Sequence, residues 1–424
     1  MIDRVGEWRV LAIIAAIVFI VQLIVIPAPN FYGEPYLVAK NIIAGKGFVF
    51  TYPITQVGGL TCFITPLYTW IATAILYLGL TERGLQIWNL LVLMASWFVV
   101  YSIFRSLVSR SVGVLLFTAL AFYGPLWILS YSLEPNSLNI LLIVLTIACL
   151  YKLSQAATRS RWIQLGILIG IQMLVRPDIL IGISLFAIWL LWTERKQWLT
   201  YAKGLIAAFA IALLIVSPWT IRNYVAFHRF VLVSANAGMN LYVGNNWVAT
   251  GEFSEEPPTT ESRAEFATIQ EFSKTHDQIE IDNYRLQLAK EWMIAHPMDV
   301  IVLDLKKIQY HWFGRPIMGE EFHYKYQALA SAFKVATVLM IGLGFFALFQ
   351  LPDKKLRSLL LVLFAYSTVV STIFFVQSRH RLIKVDPFLV PLAVIGMANI
   401  VSYVKARRIS SLATDSHSTA ISQA

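Results

Sequence analysis

Apolar residues in this chain come in long unbroken runs, not at the alternating spacing of a half-buried strand or the three-to-four spacing of a surface helix. The first, Val10 to Ile26, is interrupted by Gln22 alone. Runs of about 17 to 22 residues recur as far as Tyr403, each long enough to cross a hydrocarbon core of about 30 Å as a helix. Arg4 and Arg9 precede the first run, and Pro27-Ala28-Pro29 makes a poor small-x-small cleavage site, so this run reads as an anchor with a cytoplasmic N-terminus. Short basic clusters punctuate the later runs: Arg105 and Arg110; Lys152, Arg159 and Arg161; Arg195, Lys196 and Lys203; Lys354, Lys355 and Arg357; Lys405, Arg407 and Arg408. All face the cytoplasm, as the positive-inside rule requires, if the spans lie at roughly 10–27, 85–104, 112–130, 137–151, 162–175, 179–192, 203–218, 333–351, 359–376 and 388–404. About ten transmembrane helices with both termini inside are therefore predicted. Pro66 to Leu80 is apolar but short and begins with proline; counting it as a span would put Arg105 and Arg110 outside, so it is placed in the outer interface.

The threading divides the chain into an N-terminal transmembrane module over 1–217 that contains a first outer loop at 29–84, an outer-face region at 218–330, C-terminal transmembrane helices at 331–408 and a disordered cytoplasmic tail at 409–424. The outer region opens with loop chemistry (Asn236, Gly238, Asn240, Gly244, Asn245, Asn246, Gly251, Pro257-Pro258) and turns helical from Glu261 to about Trp312, broken at Pro297. Composition agrees with a polytopic all-α membrane protein. With 58% hydrophobic and 14% charged residues and a mean hydropathy of +0.65, a soluble globular domain is excluded. The net charge of +10 resides in the clusters at span ends, so it reads as a topology signal and not as a nucleic-acid surface. Two cysteines, Cys62 and Cys149, support neither a disulfide framework nor a zinc-finger site.

Ionisable groups near the outer membrane surface are the candidates for chemistry. Spans of about 14 residues cover only about 21 Å, so the turn Arg176-Pro177-Asp178 is recessed, as is Glu134 before another short span. An Arg176–Asp178 ion pair without function is the plain alternative. In the first outer loop, Leu37, Val38, Ile42 and Ile43 predict a short helix from Pro35 to Ala44, ended by Gly45 and Gly47, with Glu34 just before its first turn, where a capping role would also suit it. The last outer loop carries Arg379, His380, Arg381 and Lys384 within six positions, against the topology rule. Either lipid headgroups or a bound phosphate or pyrophosphate would account for them. His311 and His323 flank Glu320 and Glu321, but no metal-ligand spacing is present; no cofactor is indicated and divalent-metal dependence is left open.

Several motifs in order, Tyr32-x-Glu34-x-Tyr36-x-x-Ala39-x-Asn41-x-x-x-Gly45-x-Gly47-Phe48, Pro66-Leu67-Tyr68, Leu133-Glu134-Pro135, Arg176-Pro177, Pro218-Trp219-x-x-Arg222-Asn223, Asn240-Leu241-x-x-Gly244-Asn245-Asn246, and Arg379-His380-Arg381 through Asp386-Pro387, resemble the GT-C glycosyltransferases. The similar branch contains the protein O-mannosyltransferases and the lipid A aminoarabinose transferase. The resemblance runs from about Pro29 to Pro391. It implies transfer of a sugar from a polyprenyl-phosphate donor to a lipid, glycan or protein acceptor on the outer face of a plasma membrane, with inversion. In that picture Glu34 is the catalytic base and Glu134 a second catalytic acid residue. Arg176, Arg222, Arg379, His380, Arg381 and Lys384 are expected at the donor phosphate, and Tyr36, Asp178, Asn240, Asn245 and Asn246 at the substrate. A lipid-linked sugar transporter or flippase, and an O-antigen polymerase or ligase, are the rivals. The absence of an internal repeat weighs against the transporter.

Overall fold

The computed structural model describes residues 2–29, 32–51, 59–253, 260–314 and 327–421. Glu320, Glu321 and His323 lie outside them. Helices follow one another with short connections: α1 (Ile2–Val25), α2 (Glu34–Ile43), α3 (Pro66–Tyr77), α4 (Glu82–Phe104), α5 (Arg110–Ala121), α6 (Gly124–Tyr131), α7 (Asn136–Gln155), α8 (Arg159–Met173), α9 (Ile179–Thr193) and α10 (Trp198–Phe227). A smaller group follows, α11 (Ala237–Gly244), α12 (Thr260–Ser273), α13 (Gln278–Ala295) and α14 (Pro297–Phe313), and the chain then returns as α15 (Gln327–Gln350), α16 (Lys354–Ile373), α17 (Ser378–Lys384) and α18 (Asp386–Ile421). Isolated bridges, Val49 to Leu60 and Glu252 to Val376, are the β pairing among the described residues.

Among the described residues, seven helices are long and apolar enough to cross a membrane: α1, α4, α7, α10, α15, α16 and α18 as far as Arg407. The pair α5 and α6 makes an eighth if counted as one span. With α8 and α9, each 15 residues long, these occupy the segments that the sequence pattern marks. The run at 112–130 is not one straight helix, however: α5 and α6 are bent by 43°. Pro125 in the first turn of α6 cannot donate to the preceding turn, so the ladder breaks at Phe122 and Tyr123. The last helix continues past Arg408 to Ile421, through the segment expected to be a disordered tail.

The helix ends sort into two sets. At one end of the bundle the basic clusters meet. Lys355 Nζ donates to Glu194 Oε1 at 2.6 Å and to the Ser154 carbonyl, Tyr151 donates to Asp353, and Arg161 donates to the carbonyls of Lys152 and Ala156 at 2.7 and 2.6 Å. At the other end α4 presents Arg83, Gln86 and Asn89 along one face. Arg83 takes the last carbonyls of α1 (Ile26 at 2.7 Å, Leu23 at 2.6 Å), Gln86 reaches Pro27 and Tyr131, and Asn89 bonds the Ser132 carbonyl and the Tyr68 hydroxyl. Buried carbonyls at helix ends must find donors; here one polar row on α4 ties α1, α3 and α6 to a common level.

Small residues set the closest helix approach. Gly166 and Gly170 of α8 face Ala208 and Ala212 of α10 so closely that a Cβ on Gly166 would lie 2.6 Å from the Ala208 oxygen, and one on Gly170 2.9 Å from the Ile215 Cβ. Gly170→Val is therefore expected to force the helices apart and cost about 1–3 kcal/mol, read as a lower apparent Tm in detergent.

Candidate functional site

The first loop reaches the site because its helices have one buried face. Pro35, Tyr36, Val38 and Ala39 of α2 pack downward, and Tyr36 and Ala39 join Tyr68, Ala72 and Ile75 of α3 in a cluster closed below by Leu85, Leu133, Leu138, Leu142 and Val175. The helix ends as the sequence predicts, with Gly45 at φ 74° and Gly47 at φ 81°, and Asn41 Nδ2 closes the turn on the Val49 carbonyl at 2.9 Å. The start of α3 hangs on the α8–α9 turn: Thr65 Oγ1 donates to the Val175 carbonyl at 2.9 Å and Leu67 N to that of Leu174 at 3.1 Å. Gly33, before α2, touches the α6–α7 turn. A Cβ there would lie 2.6 Å from the Leu133 oxygen and 2.8 Å from the Glu134 Cγ. Glu34, the residue after this contact, is exposed.

Three connections meet at that place. From the α6–α7 turn comes Glu134, whose Oε2 accepts from Arg379 NH1 at 2.5 Å and from Asn136 Nδ2 at 3.0 Å. From the α8–α9 turn come Arg176 and Asp178, 3.7 Å apart. From α17 comes Lys384, donating to Asp178 Oδ2 at 2.6 Å with its ammonium 5.1 Å from the Tyr366 ring centroid. The Tyr366 hydroxyl also faces Asp178, at 3.5 Å. Burial pushes the Glu134 carboxyl up, but Arg379, Asn136 and Arg176 outweigh it and hold the group below the ordinary carboxylate range. Asp178 follows the same course, with Lys384, Arg176 and Tyr366 overcoming its burial. Lys384 is pulled down by burial, with Asp178 opposing. Both acids are thus ionised partners of cations. Among the described residues, buried Nε of Arg379 and Oε1 of Gln377 have no hydrogen-bond partner, so the guanidinium that grips Glu134 keeps a donor in hand.

The other expected site residues take different places. Arg381 does not join the cluster: its Nε and NH2 bond Asp386 at 3.0 and 3.5 Å, its NH1 bonds the Trp312 carbonyl at 2.5 Å, and Tyr123 donates to the same carboxylate at 2.8 Å. Arg222 donates to the Thr61 carbonyl at 2.8 Å and lies over the rings of Trp219 and Phe48, at 4.7 and 5.3 Å, bracing the second part of the first loop. Tyr36 is buried and donates to Glu82, with Tyr32 stacked on it at 5.5 Å. Asn245 donates to the carbonyls of Leu241 and Ile373 and accepts from Lys307, all at 2.9 Å; Asn246 closes its own turn on Tyr242 and Val248. Asn240 sits half-exposed on α11. That helix forms where a loop is expected because the Asp282 carboxylate on α13 accepts from Gly238 N at 3.1 Å and Met239 N at 2.8 Å, a cap supplied from a distant part of the chain.

His380 is buried and neutral, not the cation that its neighbours in sequence suggest. Burial, with Lys384, Arg176 and Arg379 nearby, holds its imidazole far below the ordinary value. Its Nδ1 lies 3.5 Å from Ser371 Oγ, which meets His311 Nδ1 at 3.0 Å. A histidine kept neutral in the fold binds a proton more readily when unfolded, so stability falls as pH drops below about 6.5, by up to about 1.4 kcal/mol per pH unit for each such group. The apparent Tm is expected to fall between pH 7 and pH 5.5, and His380→Gln to reduce that slope.

Comparison with known proteins bears on the fold as a whole. Residues 64–221 match the family model described as dolichyl-phosphate-mannose-protein mannosyltransferase. Two crystal structures of the Archaeoglobus fulgidus oligosaccharyltransferase share the architecture, the apo form at 16% identity and the complex with Zn and sulfate at 14%, both with a TM-score of 0.52 and both covering 96% of this chain. The chain spans about half of theirs, 52% and 51%. No curated protein sequence matches it. The chain is thus a multi-pass helical membrane protein with the GT-C glycosyltransferase fold, in agreement with the resemblance carried by its motifs.

Proposed function

We propose that the protein is a membrane glycosyltransferase that moves a sugar from a polyprenyl-phosphate donor to a hydroxyl acceptor on the outer face of a plasma membrane. The observation that carries this reading is the convergence of Arg176, Arg379 and Lys384 with Glu134 and Asp178 beside an exposed Glu34. Three cations are gathered there and the buried Arg379 Nε has no hydrogen-bond partner among the described residues, which suits a phosphate oxyanion. Glu34 stands exposed on the first outer loop, where an acceptor would arrive, and is the group assigned to take the acceptor proton. As the acceptor oxygen bonds to the anomeric carbon, its proton passes to Glu34 and the carbon–oxygen bond to phosphate breaks. The configuration inverts, and the lipid phosphate leaves as a monoester dianion. Charge grows on the phosphate oxygens in that step, so Arg379, through its Nε, and Arg176 stabilise the transition state more than the ground state. Lys384 fixes Asp178 and Arg381 fixes the start of α18; both act by positioning.

The test is release of free polyprenyl phosphate from a panel of polyprenyl-phosphate sugars by the purified protein, with and without crude acceptor lipid. Release that depends on acceptor supports the reading. Donor binding without release from any sugar would overturn it in favour of a lipid-linked sugar transporter.

A further inference from the structure

Helix α14 has its polarity reversed. Its buried side carries Leu303, the ammonium of Lys307 and the imidazole of His311, while its exposed side carries Ile301, Val302, Leu305 and Ile308, Leu305 being 62% exposed. A helix on a water-facing domain shows the opposite arrangement, apolar in and polar out. The polar side is fully used: Lys307 Nζ donates to Asn245 Oδ1 at 2.9 Å and to the Thr372 carbonyl at 2.8 Å, and His311 meets Ser371 and Ser367 at 3.0 and 3.3 Å.

These partners also record depth. Lys307 is level with the Ile373 end of the spanning helix α16, His311 lies further down it, and Trp312 packs on Phe364 of α16 and Phe345 of α15 at ring distances of 6.1 and 5.5 Å. Phe364 lies about 13 Å of helix rise inside the end of its span, close to the middle of a hydrocarbon core about 30 Å thick. The last turn of α14 is thus wedged against two membrane-crossing helices, of which α15 likewise exposes apolar residues, Val335, Leu339 and Phe346.

We propose that α14 enters the membrane with its C-terminal half, Leu305 and Ile308 lying against the acyl chains of the leaflet next to the site, and that it holds α16 and α17 from there. The region read from the sequence as an outer-face domain then contains an embedded wall. Lys306, exposed beside Leu305, reaches the headgroups with its long stem. This inference stands apart from the reaction proposed above.

The test is a nitroxide on a single introduced cysteine in the full chain reconstituted in nanodiscs. Cys62 and Cys149 are both buried, and labelling of the unmutated protein gives the background. Leu305→Cys is compared with Leu214→Cys in α10, 72% exposed, as the bilayer reference and with Lys274→Cys just past the end of α12, 66% exposed, as the water reference. The ratio of oxygen to nickel-chelate collisions at Leu305 is expected to match the bilayer reference and to exceed the water reference several-fold. A ratio equal to that at Lys274 overturns the proposal, and so does protection from both reagents, which would mean that another protein surface covers the stripe. Ile308→Cys, 39% exposed, gives the same readout should Leu305→Cys fail to fold.

Discussion

Lys384→Met is expected to destabilise the protein by about 3–5 kcal/mol, because it leaves Asp178 as a buried carboxylate without its main cation. Lys384 is 2% exposed and its ammonium lies 2.6 Å from Asp178. Arg176, at 3.7 Å and a quarter exposed, cannot replace that contact. The loss is a penalty of an unpaired charge more than the worth of the pair, so the double change Lys384→Met with Asp178→Asn should recover most of it. Apparent Tm in detergent across this cycle measures the coupling. If the double variant is no more stable than Lys384→Met alone, the ammonium acts through Tyr366 or the fold of α17 and not through Asp178.

The spans and the first-loop helix were legible because their signals are local. Run length marks a crossing, and the glycines that end α2 sit one turn beyond its apolar face. The last basic loop divides in space for an equally physical reason. Arg379, His380, Arg381 and Lys384 read as one anion site on the line, but successive residues of a short helix point about 100° apart. In space Arg379 goes to Glu134, His380 to Ser371, Arg381 to Asp386 and Lys384 to Asp178. Asp386 was visible in the sequence, yet nothing local tells that it belongs to Arg381. Asn245 resembles a sugar-binding amide until Lys307, 62 residues away, and two carbonyls claim it, and Asn246 is taken up by Tyr242 and Val248 of its own turn. Gly33 was hidden in plain view: its missing side chain makes the contact with Glu134, and a sequence shows no contact for an atom that is absent. The reversed face of α14 also has no local mark, since a stripe of apolar residues reads the same whether it points to a core or to lipid.

The sharpest consequence concerns which carboxylate takes the acceptor proton. Glu34→Gln is nearly isosteric and keeps the hydrogen-bonding reach of the side chain while removing the base. It is expected to reduce sugar transfer by about 10²–10⁴-fold, with unchanged apparent Tm and unchanged donor affinity. Glu134→Gln predicts a different pattern. It frees Arg379 NH1, which now holds Glu134 at 2.5 Å, so stability and donor affinity shift together and the rate of the chemical step changes less. A carboxylate held below its ordinary range by a guanidinium is a weak proton acceptor, which counts against Glu134 as the base. Single-turnover release of polyprenyl phosphate at saturating donor separates the two, because it reads the chemical step without binding. Full turnover in Glu34→Gln with loss in Glu134→Gln would transfer the base to Glu134 and make the Arg379 pair a resting arrangement that opens when the donor phosphate takes the guanidinium.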